Sequence, residues 1–159
     1  MNLKEIAKLI GLILICQLAG IIGSIFTFDA IPNWYASLTK PWFNPPSFIF
    51  APVWILLYTL MGISLYLIIK KGFNRKEVKI ATMFFGAQLS LNAIWSIIFF
   101  GLHNIFLALV EIIILWVVLL FTIIKFYKIS KNAAYLLIPY FLWGSFATLL
   151  TLSIWILNP

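Results

Sequence analysis

Apolar residues fall in five runs of about twenty, at roughly residues 6–28, 48–69, 78–101, 104–124 and 133–157. About 20 apolar residues are needed for a helix to cross the hydrocarbon core of a bilayer. Inside lipid only helices or closed barrels satisfy their backbone, and runs this long without polar/apolar alternation favour helices. The pattern therefore predicts an all-α integral membrane bundle of five transmembrane helices, one domain over residues 1–159. Pro52 falls in an early turn of the second run. Pro139 falls in the second turn of the fifth, where a bend is expected. The connections are unequal. "GLHN" at 101–104 reads as a tight hairpin, and residues 71–77 as a short basic turn. Residues 29–46 read as one long loop that holds "WYASLTKPWFNPP". Long structured loops in compact proteins are usually functional.

Composition agrees with a lipid solvent. Of the 159 residues 64% are hydrophobic and 9% charged, with a mean hydropathy of +1.11, whereas soluble domains carry about 25% charged residues. The net charge of +7 does not call for nucleic acid once the charges are placed. Lys4, Lys8, Lys70, Lys71, Arg75, Lys76, Lys79, Lys125, Lys128 and Lys131 fall at one end of the predicted bundle, and Lys40 alone at the other. The positive-inside rule makes the first end cytoplasmic. The N-terminus is then cytoplasmic, and the 29–46 loop and the C-terminus lie outside. The basic start of the first run, with no clear cleavage pattern after it, reads as a retained helix. Cys16 has no partner cysteine and reads as a packing residue. His103 is the sole histidine, so no metal site is expected.

The polar and aromatic residues inside the runs carry the functional signal. Trp54 and Tyr58 share a helix face at i, i+4. So, nearly, do Gln88, Asn92, Trp95 and Ser96, and again Tyr140, Trp143 and Ala147. Such a cluster under an aromatic loop suits a flat, conjugated, mostly apolar ligand, with room beside Gly144 and Ala147 and with Asn92 as donor and acceptor. Plainer readings stand beside it. Trp34, Trp42 and Trp155 fit an interfacial belt. Trp54, Trp95 and Trp143 fit packing equally well. Asn92 fits a helix–helix hydrogen bond worth about 0.6 kcal/mol. Glu111 either reaches interfacial water, pairs locally, or serves function, as intramembrane acids do by default. Small residues form three close-approach seams: Gly86 with Ser90, Ala19 with Gly23, and Gly20 with Ser24. No internal repeat, broken helix pair or ring of acids supports a transporter or channel architecture.

"WYASLTKPWFNPP", "APVWILLYTLMG", "LSLNAIWSIIFFG", "LALVEI" and "PYFLWGSFATLL" resemble, in order, the translocator protein family. It is also known as the tryptophan-rich sensory protein or peripheral benzodiazepine receptor family. The likeness runs from about residue 19 to 157. It implies a five-helix bundle, a homodimer and no intrinsic cofactor; the small-residue pair Gly86 and Ser90 is the expected seam of such a dimer. It also implies that porphyrins (protoporphyrin IX, heme), benzodiazepine-type molecules and other hydrophobic small molecules bind between the loop and the helices. Carried over, the ligand-binding residues are Tyr35, Trp54, Asn92, Trp95, Trp143 and Ala147, with Glu111 the acid of the fourth span; Tyr58 joins them through the helix face it shares with Trp54. Two further activities are implied as alternatives: light-dependent breakdown of protoporphyrin IX, with Trp54 and Trp143 catalytic, and porphyrin or lipid transport. Pro41, Pro45 and Pro46 would stiffen the loop as a lid, with Trp34, Tyr35 and Trp42 as its apolar area and Lys40 free to meet a propionate or an anionic lipid. The chain departs from the animal members near its end, where "LTLSIWILNP" lacks the tyrosines and basic residue of their sterol-recognition pattern, and Thr151 stands where an Asn is common. That departure and the lysine-rich end point to a microbial plasma membrane.

Overall fold

The computed structural model describes residues 2–159, and among them every regular element is helical. The elements are α1 (Leu3–Ala30), α2 (Phe50–Ile69), α3 (Lys76–Ser96), α4 (Ile105–Ile129), α5 (Lys131–Leu136) and α6 (Ile138–Leu157). They make five apolar spans, because α5 and α6 run on as one bent span, Lys131–Leu157.

Helix ends follow local chemistry. The Asn2 side chain accepts from Glu5 N at 3.0 Å to start α1, and Asn104 accepts from Leu107 N at 2.9 Å to start α4. Each satisfies one amide that the helix itself leaves unpaired. Gly72, at φ +109°, takes the left-handed position in the turn between α2 and α3, which costs a glycine little. His103, at φ 53°, does the same in the hairpin between α3 and α4. Pro139 sits in the first turn of α6, and the α5–α6 break lies at Leu137. This is the bend its missing N–H and its ring impose on the preceding turn.

The loop is shorter than its sequence suggests. Helix continues beyond Asp29: Ile31–Tyr35 form one π-helical turn and residues 36–37 one more helical step. Pro32 explains the change of register. It lacks the N–H that an α-helix would bond to Phe28, so the ladder widens by one residue there rather than ending. Asn33 Nδ2 then donates to Asp29 O at 2.9 Å. The irregular stretch is 38–46, not 29–46.

Close approach of α1 and α2 rests on two glycines. A Cβ on Gly62 would lie 2.5 Å from the Ile13 Cα, and one on Gly20 would strike the Tyr58 ring. Gln17 Nε2 ties the same seam by donating to Ile55 O at 3.0 Å and Thr59 Oγ1 at 3.1 Å. At the basic end Phe85 and Phe126 stack at 5.8 Å among Met61, Ile68, Val78, Ala81, Ala133 and Leu137. Cys16 is buried in the same core as a free thiol. Lys70 Nζ pairs with Glu5 Oε1 at 3.4 Å across the ends of α2 and α1, and this carboxylate holds the ammonium above its usual pKa. A second core, at the loop end, gathers Tyr35, Phe99, Ala108, Leu150 and Ile154. Leucines, isoleucines and phenylalanines cover the outside, among them Ile25 and Leu142. In water that surface would be unfavourable, but against acyl chains it is matched.

Candidate functional site

Between the two cores lies a cavity of about 440 Å³, walled by α1, α2, α3, α4 and α6. Its volume is within the roughly 300–1,000 Å³ of small-molecule sites. All seven residues expected to bind ligand (Tyr35, Trp54, Tyr58, Asn92, Trp95, Trp143 and Ala147) line it. Four helices bring them together: the π-turn ending α1 supplies Tyr35, α2 the Trp54–Tyr58 pair, α3 Asn92 and Trp95, and α6 Trp143 and Ala147.

The floor is a closed polar network. Tyr58 Oη donates to Asn92 Oδ1, and Asn92 Nδ2 donates to Tyr140 Oη at 2.9 Å. Asn92 therefore joins α2, α3 and α6, and the helix–helix reading of this residue holds together with its place in the cavity wall. Trp54 stacks on Tyr58 at 5.3 Å and meets Tyr140 edge-on at 6.0 Å. Trp143 meets Phe50 edge-on at 6.1 Å, and Trp95 stacks on Phe99 at 4.9 Å. Gly144, with nothing within 4 Å of an added Cβ, keeps one wall shallow. Almost every wall is apolar, and the walls offer rings at several angles to a flat guest.

The loop differs from the expected lid. Of its aromatic residues only Tyr35 lines the cavity. Trp42 is 95% exposed and packs only edge-on against Phe43. Trp34 stacks on His103 at 4.3 Å, bracing the α3–α4 hairpin. Lys40 is not free for a propionate. Its Nζ donates to the carbonyls of Tyr35 (2.7 Å), Ala36 (3.2 Å) and Leu38 (2.8 Å), capping the end of the first span. Lysine near a helix C-terminus satisfies carbonyls the helix leaves open and meets the negative end of its dipole. Tyr35 Oη donates to Asn44 Oδ1 at 2.6 Å. Asn158 clamps the loop to the end of α6, accepting from Thr39 N at 3.0 Å and donating to Thr39 O at 2.9 Å. Nothing in the sequence flagged Asn158, because a contact spanning 119 residues leaves no local pattern.

Other expectations sort as follows. Glu111 is only 6% exposed and neither carboxylate oxygen has a hydrogen-bond partner among the described residues, so it does not pair locally. Gln88 is buried in the same unpartnered state, one helical turn from Asn92, and so is the Trp95 Nε1. Trp155 leans on Phe106 at 5.6 Å. Of the small-residue seams, Gly20 and Gly23 are used inside the chain, against Tyr58 and Ser96. Gly86 has open space beside it, and Ser90 Oγ donates to Gly86 O at 2.9 Å. Both lie off the cavity. Among the described residues no cluster of His, Cys, Asp and Glu could hold a metal.

Comparison with known proteins identifies the family. Residues 12–156 match the model of the TspO/MBR family. A tryptophan-rich protein TspO from the archaeon Archaeoglobus fulgidus is 46% identical over 155 residues, covering 97% of this chain and 99% of that one. One from Chlorobaculum tepidum is 39% identical over 156 residues, covering 98% and 99%. The human translocator protein is 37% identical over 147 residues, covering 91% and 86%. With a family match across nearly the whole chain and five apolar helices around one cavity, the chain belongs to the TspO/MBR family of integral membrane proteins.

Proposed function

We propose that this chain is a receptor or sensor-type membrane protein whose cavity binds porphyrins, protoporphyrin IX and heme among them, and benzodiazepine-type molecules. One observation carries the reading: the seven expected ligand-binding residues, from four helices, line a single cavity of about 440 Å³. Rings from Trp54, Tyr58, Trp95 and Trp143 supply stacking area. The Tyr58–Asn92–Tyr140 network ties the walls from α2, α3 and α6 together before any ligand arrives, which lowers the ordering cost of binding. Relatives in an archaeon and a bacterium support a microbial plasma membrane as the setting, with the basic end cytoplasmic.

The test is the absorption spectrum of protoporphyrin IX with purified protein, first in the dark and then under light. A shifted Soret band that persists is the expected result. An unshifted band would exclude porphyrin as the ligand. A second reading is favoured by Trp54 and Trp143 lining the same cavity: light-dependent oxidative breakdown of bound protoporphyrin IX, with the porphyrin supplying the photochemistry and the indoles acting as redox partners. In that case the shifted band decays under light faster than free porphyrin in the same detergent. Trp54→Phe and Trp143→Phe then retain binding and lose the decay.

A further inference from the structure

The cavity wall is open on one side only. Six lining residues are exposed: Ile21, Ser24 and Phe28 on α1, Ser47 just before α2, and Ala51 and Ile55 on it. Lining residues from α3, α4 and α6 are all buried or half-buried. The gap therefore lies between the loop-end halves of α1 and α2. Towards the basic end the two helices close, where Gly62 meets the Ile13 backbone and Gln17 bonds Ile55 and Thr59. Above the gap the loop is pinned at four points: by Asn158 on Thr39, Lys40 on three carbonyls, Tyr35 on Asn44, and Trp34 on His103. Phe43 against Phe146, 6.1 Å between ring centroids, adds a fifth contact over the roof.

The geometry points to a membrane-facing entry slot between α1 and α2, through which flat apolar molecules dissolved in the bilayer reach the cavity, with Ser24, Ala51 and Ile55 setting the width that passes. The inference rests on the cavity being a ligand site, and adds where the ligand comes from. The occupant follows from the surroundings. Ile21, Phe28 and Ile55 present apolar faces, 56%, 83% and 60% exposed, on spans that lie in lipid. The rim hydroxyls of Ser24 and Thr27 are turned back onto their own helix, donating to Ile21 O at 2.7 Å and Gly23 O at 2.8 Å. A guest sliding in from acyl chains thus meets no unpaired hydroxyl proton at these two positions and loses no hydration there. A guest coming from water would have to break the loop's clamps first.

The test reads access without needing a porphyrin. Ala147→Cys, on a Cys16→Ala background, places one reporter thiol on the cavity wall of the full chain in lipid vesicles. N-ethylmaleimide, which partitions into the bilayer, is compared with a charged methanethiosulfonate that stays in water. The expected result is faster labelling by the maleimide, slowed several-fold by Ser24→Phe, quickened by Ile55→Ala, and unchanged by Asn158→Ala, which frees the loop. Faster labelling by the charged reagent, quickening by Asn158→Ala, insensitivity to both slot variants, or a thiol that neither reagent reaches would each overturn the slot. If the labelling follows the slot and the Soret band still does not shift, the entry route stands and the porphyrin reading fails.

Discussion

Asn92 joins three helices through a single buried side chain. Both ends of its amide are engaged, by Tyr58 and by Tyr140, and all three residues are buried. Removing the amide leaves two phenols without that partner in an apolar setting. Stranding a buried polar group costs about 1–3 kcal/mol, so Asn92→Ala should lower the melting temperature in detergent clearly more than Tyr140→Phe, which leaves the Tyr58 bond in place. Equal melting temperatures would mean that the network contributes little. That Asn92 faces the cavity with Trp95 was legible from helical spacing. Its engagement by two tyrosines was not, since this depends on how close α2 and α6 come, a matter of tertiary packing. Glu111 and Gln88 show the same limit. The sequence marked the acid as unusual, but its isolation on α4 is a property of the assembled bundle.

At the scale of helices, glycine position separates structural from tolerant sites. Gly62 has the Ile13 Cα 2.5 Å from where a Cβ would sit, whereas Gly86 has nothing within 4 Å. Gly62→Ala must push α1 and α2 apart, and overpacking of this kind costs about 1–3 kcal/mol. Gly86→Ala should change stability within about 0.5 kcal/mol. Thermal unfolding of the two variants side by side checks the contrast, and a destabilised Gly86→Ala with an unaffected Gly62→Ala would reverse the assignment. The sequence flagged Gly20, Gly23 and Gly86 alike as small-residue seams and did not flag Gly62. Spacing alone cannot say whether a glycine faces a neighbouring helix or open space. The same blindness lengthened the expected loop. The apolar run ends near Phe28, yet one π-helical turn absorbs the hydrogen bond lost at Pro32 and carries the helix on to Tyr35. This placement sets Tyr35 in the cavity wall rather than in the expected loop lid.

For the whole molecule the number of spans was legible because twenty-residue apolar runs have few other uses, and the bend at Pro139 because proline cannot donate. How the chain meets other copies and which way it faces are separate matters. If Gly86 and Ser90 form a seam between two copies, Gly86→Leu fills the open space beside the glycine and should convert a dimer to a monomer in cross-linking without affecting folding. Orientation rests on charge. Ten Lys and Arg residues lie at one end and Lys40 at the other, and Lys40 is itself bound to three carbonyls. A basic residue near an anionic leaflet gains about 1 kcal/mol, and moving a charge against the membrane potential costs about 2.3 kcal/mol per 100 mV. Both terms favour a cytoplasmic basic end, and that is the orientation we propose. Thr39 and Asn74 are exposed, at the loop end and in the α2–α3 turn respectively. The Thr39 bonds to Asn158 use only its backbone, so a cysteine there preserves the clamp. Cys16 is buried and silent. On intact cells an impermeant maleimide should therefore label Thr39→Cys and spare Asn74→Cys until the membrane is opened. The opposite pattern would put the loop, the Asn158 clamp and the mouth of the α1–α2 gap in the cytoplasmic leaflet. Ligand would then reach the cavity from that leaflet.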